Sequence, residues 1–253
     1  MTKQESHDFR RGSVKGFIPF GLILALGLVI STYLVTDALR DIRMSHQIIK
    51  VRGYAETPVE SDMAIWYITV KARDRNMAEA YTVLAEHREK VLNFLQENQV
   101  EAEEIRIRAV SVNERRKRAE NGHETNEIEF FELSQGIGVK SRDVHNISKL
   151  STAIASLLGE GIALRSGMPS YYYTQVNALK SQLLVEATQD ARERAKTLAE
   201  GSGVNLGPLR AARQGVFSVR SADSSGISEK STDDVSSISK KVSALVTVDY
   251  AMK

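Results

Sequence analysis

"EATQDARERAKTLAEGSGVNLG" (Glu186–Gly207) carries four alanines, Ala187, Ala191, Ala195 and Ala199, each four residues after the last. A four-residue repeat stays on one face of a helix that turns every 3.6 residues. The stretch therefore predicts the end of a long helix, about Gln175 to Gly201, with Gly201 and Gly203 giving a left-handed exit into a strand. On a helical wheel Val176, Leu183, Leu184 and Leu198 join the alanines, while Gln182, Glu186, Gln189, Asp190, Glu193, Lys196 and Glu200 cover the other side. Alanine combines the highest helix propensity with the least bulk. The distal half of this helix should form readily and pack with its backbone close to a neighbour.

Working outward, two periods alternate. "QIIKVRGYAE" (Gln47–Glu56) and "SDMAIWYITVKAR" (Ser61–Arg73) read as strands joined at Thr57-Pro58, the second with Ala64, Trp66, Ile68 and Val70 on one face. A first helix opens at Asn76, with Glu79 as its capping partner and Met77, Tyr81, Leu84, Val91 and Leu95 as its apolar stripe. "EIRIRAVSV" (Glu104–Val112) predicts a strand with Ile105, Ile107 and Ala109 inward and Arg106 and Arg108 outward. A polar tip (Asn113–Glu127) leads to its partner strand, Ile128–Arg142, with a bulge near Gly136. A second helix spans Asp143 to Leu158, burying Val144, Ile147, Ile154, Ala155 and Leu158. One short strand, Ile162–Thr174, feeds the long third helix, and two strands, Gly207–Arg220 and Lys240–Lys253, close the domain. Residues 221–239, rich in serine and acidic side chains, read as a mobile loop without a core. Adjacent strands imply hairpins. The fold class is α+β, an antiparallel or mixed sheet with helices packed on it, preceded by a single N-terminal transmembrane helix.

That helix is read from "FIPFGLILALGLVISTYLV" (Phe17–Val35), which carries no charge and approaches the roughly 20 apolar residues a bilayer core requires. A cleaved signal peptide is the rival reading, with Val29 and Ser31 at the cleavage positions. The apolar run continues past that site through Tyr33, Leu34 and Val35, which favours an uncleaved anchor. Lys3, Arg10, Arg11 and Lys15 precede the span, and Arg40, Arg43, Lys50 and Arg52 follow it, so basic flanks do not orient it. A short tail with a large domain behind the span resembles a signal anchor, which puts the domain outside the cytoplasm. The organisation read here is a cytoplasmic tail (1–16), a transmembrane anchor (17–39) and one domain (45–253).

Composition excludes several chemistries. The 253 residues contain no cysteine, which removes thiol catalysis, disulfides and thiolate metal sites. With 34 basic and 32 acidic residues the chain has no general field for nucleic acid. His7, His46, His87, His123 and His145 lack ligand spacing, so neither metal nor cofactor is expected. "SISK" (Ser237–Lys240) matches a serine–lysine pattern of penicillin-binding enzymes but lacks its companion motifs. "GSGVNLG" follows a helix and enters a strand, the reverse of the dinucleotide-binding order. "ERRKR" (Glu114–Arg118) reads as a solvated hairpin tip, with contact to anionic lipid headgroups as its functional option. No catalytic residue emerges. Lys180 is the oddity: it falls amid the apolar face of the third helix, and either snorkels outward or pairs with a buried acid such as Asp62. Tyr171 and Tyr173, just before that helix, are candidates to line the same pocket.

The order of motifs resembles the SIMPL-domain family. Its helix-to-strand signature corresponds to Glu186, Ala187, Asp190, Ala191, Arg192, Lys196, Leu198, Ala199, Gly203, Leu206 and Gly207. Its N-terminal signature corresponds to Gly53, Glu56, Asp62, Ala64 and Trp66. "ARQGVF" (Ala212–Phe217) and the strand from "KKV" resemble its bacterial branch. The resemblance implies an α+β fold and a bacterial envelope protein, with some relatives labelled stress-related and no catalytic residues to carry over. The expectation is a single-pass inner-membrane protein with its domain in the periplasm, non-catalytic, acting through binding or self-assembly. Its partners would be the membrane, copies of itself and an envelope protein, with no nucleic acid. The alternative is a small-ligand sensor or enzyme with a pocket near Lys180.

Overall fold

The alternation of "MAIWYITVKARD" decides what lies on each side of the central strand, β2 (Met63–Asp74). Ala64, Trp66, Ile68, Val70 and Ala72 are buried, while Tyr67 and Arg73 reach solvent. The computed structural model describes residues 24–36, 48–119, 123–224 and 233–252. Its elements are α1 (residues 24–36), β1 (Ile48–Glu60), β2, α2 (Met77–Glu97), β3 (Ile105–Arg118), β4 (Glu124–Ser141), α3 (Val144–Ala153), α4 (Ser156–Gly159), β5 (Leu164–Ser166), β6 (Ser170–Tyr172), α5 (Val176–Gly201), β7 (Leu206–Ser221) and β8 (Ser239–Met252). The class is α+β. One sheet has the order β3-β4-β2-β5 with β6 also on β2, and a second has the order β1-β8-β7.

Two compact units divide the chain. Arg52–Asp190 with Gln214–Val246 forms one, and Met1–Val51, Ala191–Arg213 and Thr247–Lys253 form the other. In the first, β2 runs antiparallel to β4, setting Trp66 opposite Val139, Ile68 opposite Ile137 and Ala72 opposite Leu133. These side chains share a core with Leu84, Val91 and Leu95 of α2 and Ile147 and Leu150 of α3. Trp66 Nε1 donates to Ser166 Oγ and to the Gly167 carbonyl, each at 3.0 Å, so the largest core ring leaves no unpaired donor. In the second unit, Gly207 of β7 lies so close to β8 that a Cβ there would sit 2.8 Å from the Ala251 carbonyl oxygen. Lys50 of β1 lies 3.9 Å from Asp249 of β8.

Several details differ from the sequence reading. Thr57-Pro58 is not a turn. β1 continues through it to Glu60, the break falls at Ser61-Asp62, and β1 and β2 enter different sheets. Pro58 is tolerated because β1 is an edge strand. Asn76 does cap α2, accepting from the Ala78 N–H at 2.9 Å, but its own N–H donates to Asp74 rather than Glu79. Ala80, not Met77 or Tyr81, completes the buried stripe of α2. The second helix breaks after Ala153, which shifts its phase and buries Leu157 in place of Ala155 and Leu158. Ile162–Thr174 folds as two short strands, β5 and β6, both antiparallel to β2.

The bulge expected in β4 around Gly136 lies instead on its partner strand. Arg108 and Ala109 of β3 fill the interval that Gly136 alone fills on β4, between the pairs Ile107–Ile137 and Val110–Gln135. The buried Gln135 amide donates to the Arg108 carbonyl at 2.9 Å, restoring a hydrogen bond to a main-chain group of the bulge. β3 is also an edge: Ile107 pairs with the buried Ile137 and so lies on the inward side as expected, but it is 49% exposed, and Ala109, in the bulge, is exposed. Strand pairing extends through most of the polar tip, to Arg118 opposite Glu124.

Residues 24–36 are helical and exposed throughout, and among the described residues no helix is long and apolar enough to cross a membrane. The rest of the anchor (17–23 and 37–39), the tail (1–16) and residues 225–232 of the serine-rich loop lie outside the described residues. The described end of that loop is tied down: Ile238 packs on the core, its carbonyl accepts from the Ser61 N–H, and the Val235 carbonyl accepts from the Tyr171 N–H.

All four alanines of α5 are fully buried, together with Leu183, whereas Leu198 is 53% exposed. The buried side is thus a narrow ridge at strict four-residue spacing, and Leu198 lies one position off it. Ala191→Leu should cost about 1–3 kcal/mol by overpacking. Glu193→Ala, on the exposed side, should stay within about 0.5 kcal/mol. Denaturant unfolding of the two variants reads the contrast, and equal midpoints would mean the ridge is not closely packed.

Candidate functional site

The four residues singled out in the sequence do not converge. Asp62 is engaged by Thr174: its Oδ1 accepts from the Thr174 N–H at 2.8 Å and its Oδ2 from the hydroxyl at 2.9 Å. Lys180 belongs to the helical row Val176–Lys180–Leu184, beside the alanine ridge, and is half-buried with its Nζ 5.6 Å from the Phe217 ring centre. That placement is a cation–π contact at the border of the apolar face. Tyr171 is buried in β6 opposite Ala64, and Tyr173 is half-buried beyond the end of β6.

Of the four, Tyr171 alone lines a groove of about 680 Å³. Most of its lining is hydroxyl-bearing, from Ser148, Ser151 and Thr152 of α3, Ser166, Ser221 and Ser236 to Ser239 excepting Ile238, with Met168, Pro169 and Asp223. These side chains come from the body of α3, the end of β5 and the segment that leads into β8.

Sequence reasoning missed a buried charge bonded, through Asp234, to the groove residues Ser236 and Ser237. Lys240 is 1% exposed, and its Nζ bonds the Asp234 carbonyl at 2.6 Å and the Asp234 carboxylate at 3.2 Å. The same carboxylate accepts from the Ser236 hydroxyl at 2.6 Å and from the Ser237 hydroxyl. Burial alone would raise the Asp234 pKa, but the hydrogen bonds from Ser236, Ser237 and Lys240 outweigh it and hold the carboxyl well below the usual range. Ser237 and Lys240 of "SISK" both bond the Asp234 carboxylate, which stands as their shared partner. Among the described residues no three His, Asp or Glu side chains gather as a metal site.

The outer face of the five-stranded sheet is the second feature that sequence reasoning missed. Register places Arg73 beside Glu132, Tyr67 beside Gly138 and Arg106, and Thr69 between Gly136 and Arg165. Glu132 is buried, with Lys71 and Arg73 each at 3.3 Å and Arg115 at 3.8 Å from its carboxylate. Burial works against the Glu132 charge, and the Lys71 and Arg73 hydrogen bonds prevail, lowering its pKa. Gly138 and Gly136 leave room for the overlying groups: a Cβ would meet the Tyr67 ring at 3.2 Å in one case and the Arg108 side chain at 3.2 Å in the other. Arg108 then lies 4.8 Å from the Tyr67 ring centre, and Arg73 lies 5.4 Å from that of Phe130. This face is basic and exposed, with Tyr67 and the side chains of Lys71, Arg73 and Arg115 all reaching solvent.

These elements define an α+β domain in which helices lie on one side of an antiparallel sheet. The chain belongs to the SIMPL family, described as "Protein of unknown function (DUF541)", whose family model matches residues 49–250. No curated protein matches the chain. The residues behind the resemblance have structural partners here: Asp190 accepts from the Tyr54 N–H at 2.8 Å, Glu56 pairs with Lys241 at 3.3 Å, and Trp66 fills the core.

Asp234→Ala would leave the buried Lys240 ammonium without its carboxylate and should destabilise the fold by about 3–5 kcal/mol. Adding Lys240→Met removes the unpaired charge and should recover most of that loss. Because the folded carboxyl titrates below its reference value of 3.8, its stabilisation is full above about pH 4 and is lost as pH falls below it. Acid unfolding curves should therefore be shallower for the double variant than for the natural chain.

Proposed function

We propose that this chain is a membrane-anchored, extracytoplasmic SIMPL-domain protein that works by binding and self-assembly, without catalysis. The observation that carries the reading is α1. Leu24, Leu26, Leu28, Val29, Ile30, Tyr33, Leu34 and Val35 are all exposed on a helix that buries none of its described residues against protein. Such a surface calls for an apolar solvent, and the uncharged run from Phe17 to Val35 has the length that a bilayer core supplies. The domain behind a short tail then lies on the periplasmic side of a bacterial inner membrane. An envelope protein is its expected partner, in a stress-related setting.

Self-assembly is supported by β3. It is a long edge strand with Ile107 and Val112 exposed, and an unguarded edge is a template for another strand. Its outward arginines, Arg106 and Arg108, guard it in part. Anchoring concentrates copies in two dimensions, which favours weak lateral contacts. The second reading, a small-ligand sensor, is favoured by the hydroxyl-lined groove beside Tyr171 rather than by Lys180.

Alkaline carbonate should leave the protein in the membrane fraction, and a phosphatase reporter fused after Lys253 should be active. A soluble chain beginning near Thr32 would establish a cleaved signal instead. A fragment of residues 45–253 should grow in light-scattering mass with concentration, and Ile107→Lys should reduce that growth. A strictly monomeric mass up to about 100 μM, well above micromolar dissociation constants, would remove assembly and leave the groove as the site.

A further inference from the structure

We propose that the outer face of the five-stranded sheet docks on the anionic phospholipid headgroups of the bilayer that holds the chain. Lys71 and Arg73 from β2, Arg106, Arg108 and Arg115 from β3, and Arg165 from β5 project from this face, and Glu132 is the carboxylate among them. Glu132 engages Lys71, Arg73 and Arg115, and no described carboxylate pairs with Arg106, Arg108 or Arg165. The chain as a whole is nearly neutral, at +2. The concentration of cations on one sheet face is therefore a property of the fold, and it complements a surface of negative charge.

Three observations favour a bilayer over a nucleic acid. A nucleic-acid sheet needs aromatic faces free for bases to stack on. Here Tyr67 has Gly138 beneath it and the Arg108 guanidinium above it, and Arg73 covers Phe130. Tyrosine beside arginine is also the pairing suited to a headgroup layer, where an amphipathic ring and a cation sit at the same depth. Proximity comes from the chain itself. Residues 36–47 separate the apolar run from β1, and a linker of that length reaches at most about 43 Å. The inference rests on the anchored reading above, and the two fail separately in the test.

The full chain is reconstituted in vesicles of phosphatidylcholine alone, or of phosphatidylcholine and phosphatidylglycerol in equal amounts. The chain has no cysteine, so Ser111→Cys places a single thiol on the outward side of β3, and Glu86→Cys places one on the exposed side of α2, which packs on the opposite face of the same sheet. The rate of reaction with neutral, membrane-permeant N-ethylmaleimide is the readout. At about fivefold per basic residue near an anionic surface, the Ser111→Cys thiol should react at least tenfold more slowly when phosphatidylglycerol is present. High salt should erase the difference, as should Arg106→Glu with Arg108→Glu, whose folding is checked by circular dichroism. The Glu86→Cys thiol should react at one rate in both vesicles. Equal rates for Ser111→Cys in the two vesicles, or equal slowing of both thiols, overturns the proposal. Protection by a single-stranded oligonucleotide in phosphatidylcholine vesicles, matching that by phosphatidylglycerol, overturns it in favour of nucleic acid. Failure to float with phosphatidylcholine vesicles sinks the anchor alone, and slowing on phosphatidylglycerol vesicles then still supports the face.

Discussion

The register of β2 against β4 is the constraint on which the rest of this molecule depends. Side chains alternate along both strands, so one pairing fixes two surfaces at once. Setting Trp66 opposite Val139 and Ile68 opposite Ile137 builds the floor on which α2 and α3 pack. The same pairing sets Tyr67 on Gly138 and Arg73 beside Glu132 on the other side. A slip of one residue would bring Tyr67, Lys71 and Arg73 under the helices and turn Trp66 to solvent. Core and outer face are therefore two consequences of one hydrogen-bond ladder.

Local features of this fold were legible in the sequence because they depend on neighbours in the chain. The four alanines identify the ridge of α5, alternation identifies β2, and Gly136 marks the position of the bulge but not its strand. The misplaced features depend on contacts the sequence does not order. Ile107 has the spacing of an inward residue, but its strand is an edge and nothing covers it. Leu198 and Lys180 lie on either side of the alanine ridge, and a helical wheel cannot tell a wide buried face from a single row. The Lys240–Asp234 pair spans only six residues, yet it reads as part of a serine-rich loop until burial shows its cost. The basic face is drawn from β2, β3 and β5 and has no sequence motif.

Membership of the SIMPL family accounts for the domain and leaves its activity open. The signature residues with visible partners are structural: Asp190 ties α5 to β1 through the Tyr54 N–H, and Asp62 closes the turn at Thr174. A signature made of packing and capping residues describes how a scaffold is built. The features that bear on binding here, the outer face and the hydroxyl-lined groove, lie largely outside that signature.

Glu132 shows why the outer face calls for a role. Cations set side by side on a sheet repel one another, by a few tenths of a kcal/mol to about 1 kcal/mol for each neighbouring pair. The chain relieves part of this with one buried carboxylate, which holds Lys71, Arg73 and Arg115, and part by laying Arg108 and Arg73 over aromatic rings. Further relief was available, because the chain has 32 acidic residues. Placing one at Thr69 or Ser111 would neutralise Arg165 or its neighbours without disturbing the core. Instead, acidic residues such as Glu124 and Glu127 lie at the hairpin tip, where Glu127 pairs with Lys117 at 2.7 Å. Stability alone would favour a mixed pattern across the sheet. A face that departs from it, while organising its cations on rings and one carboxylate, is the arrangement that the proposed docking on anionic headgroups requires.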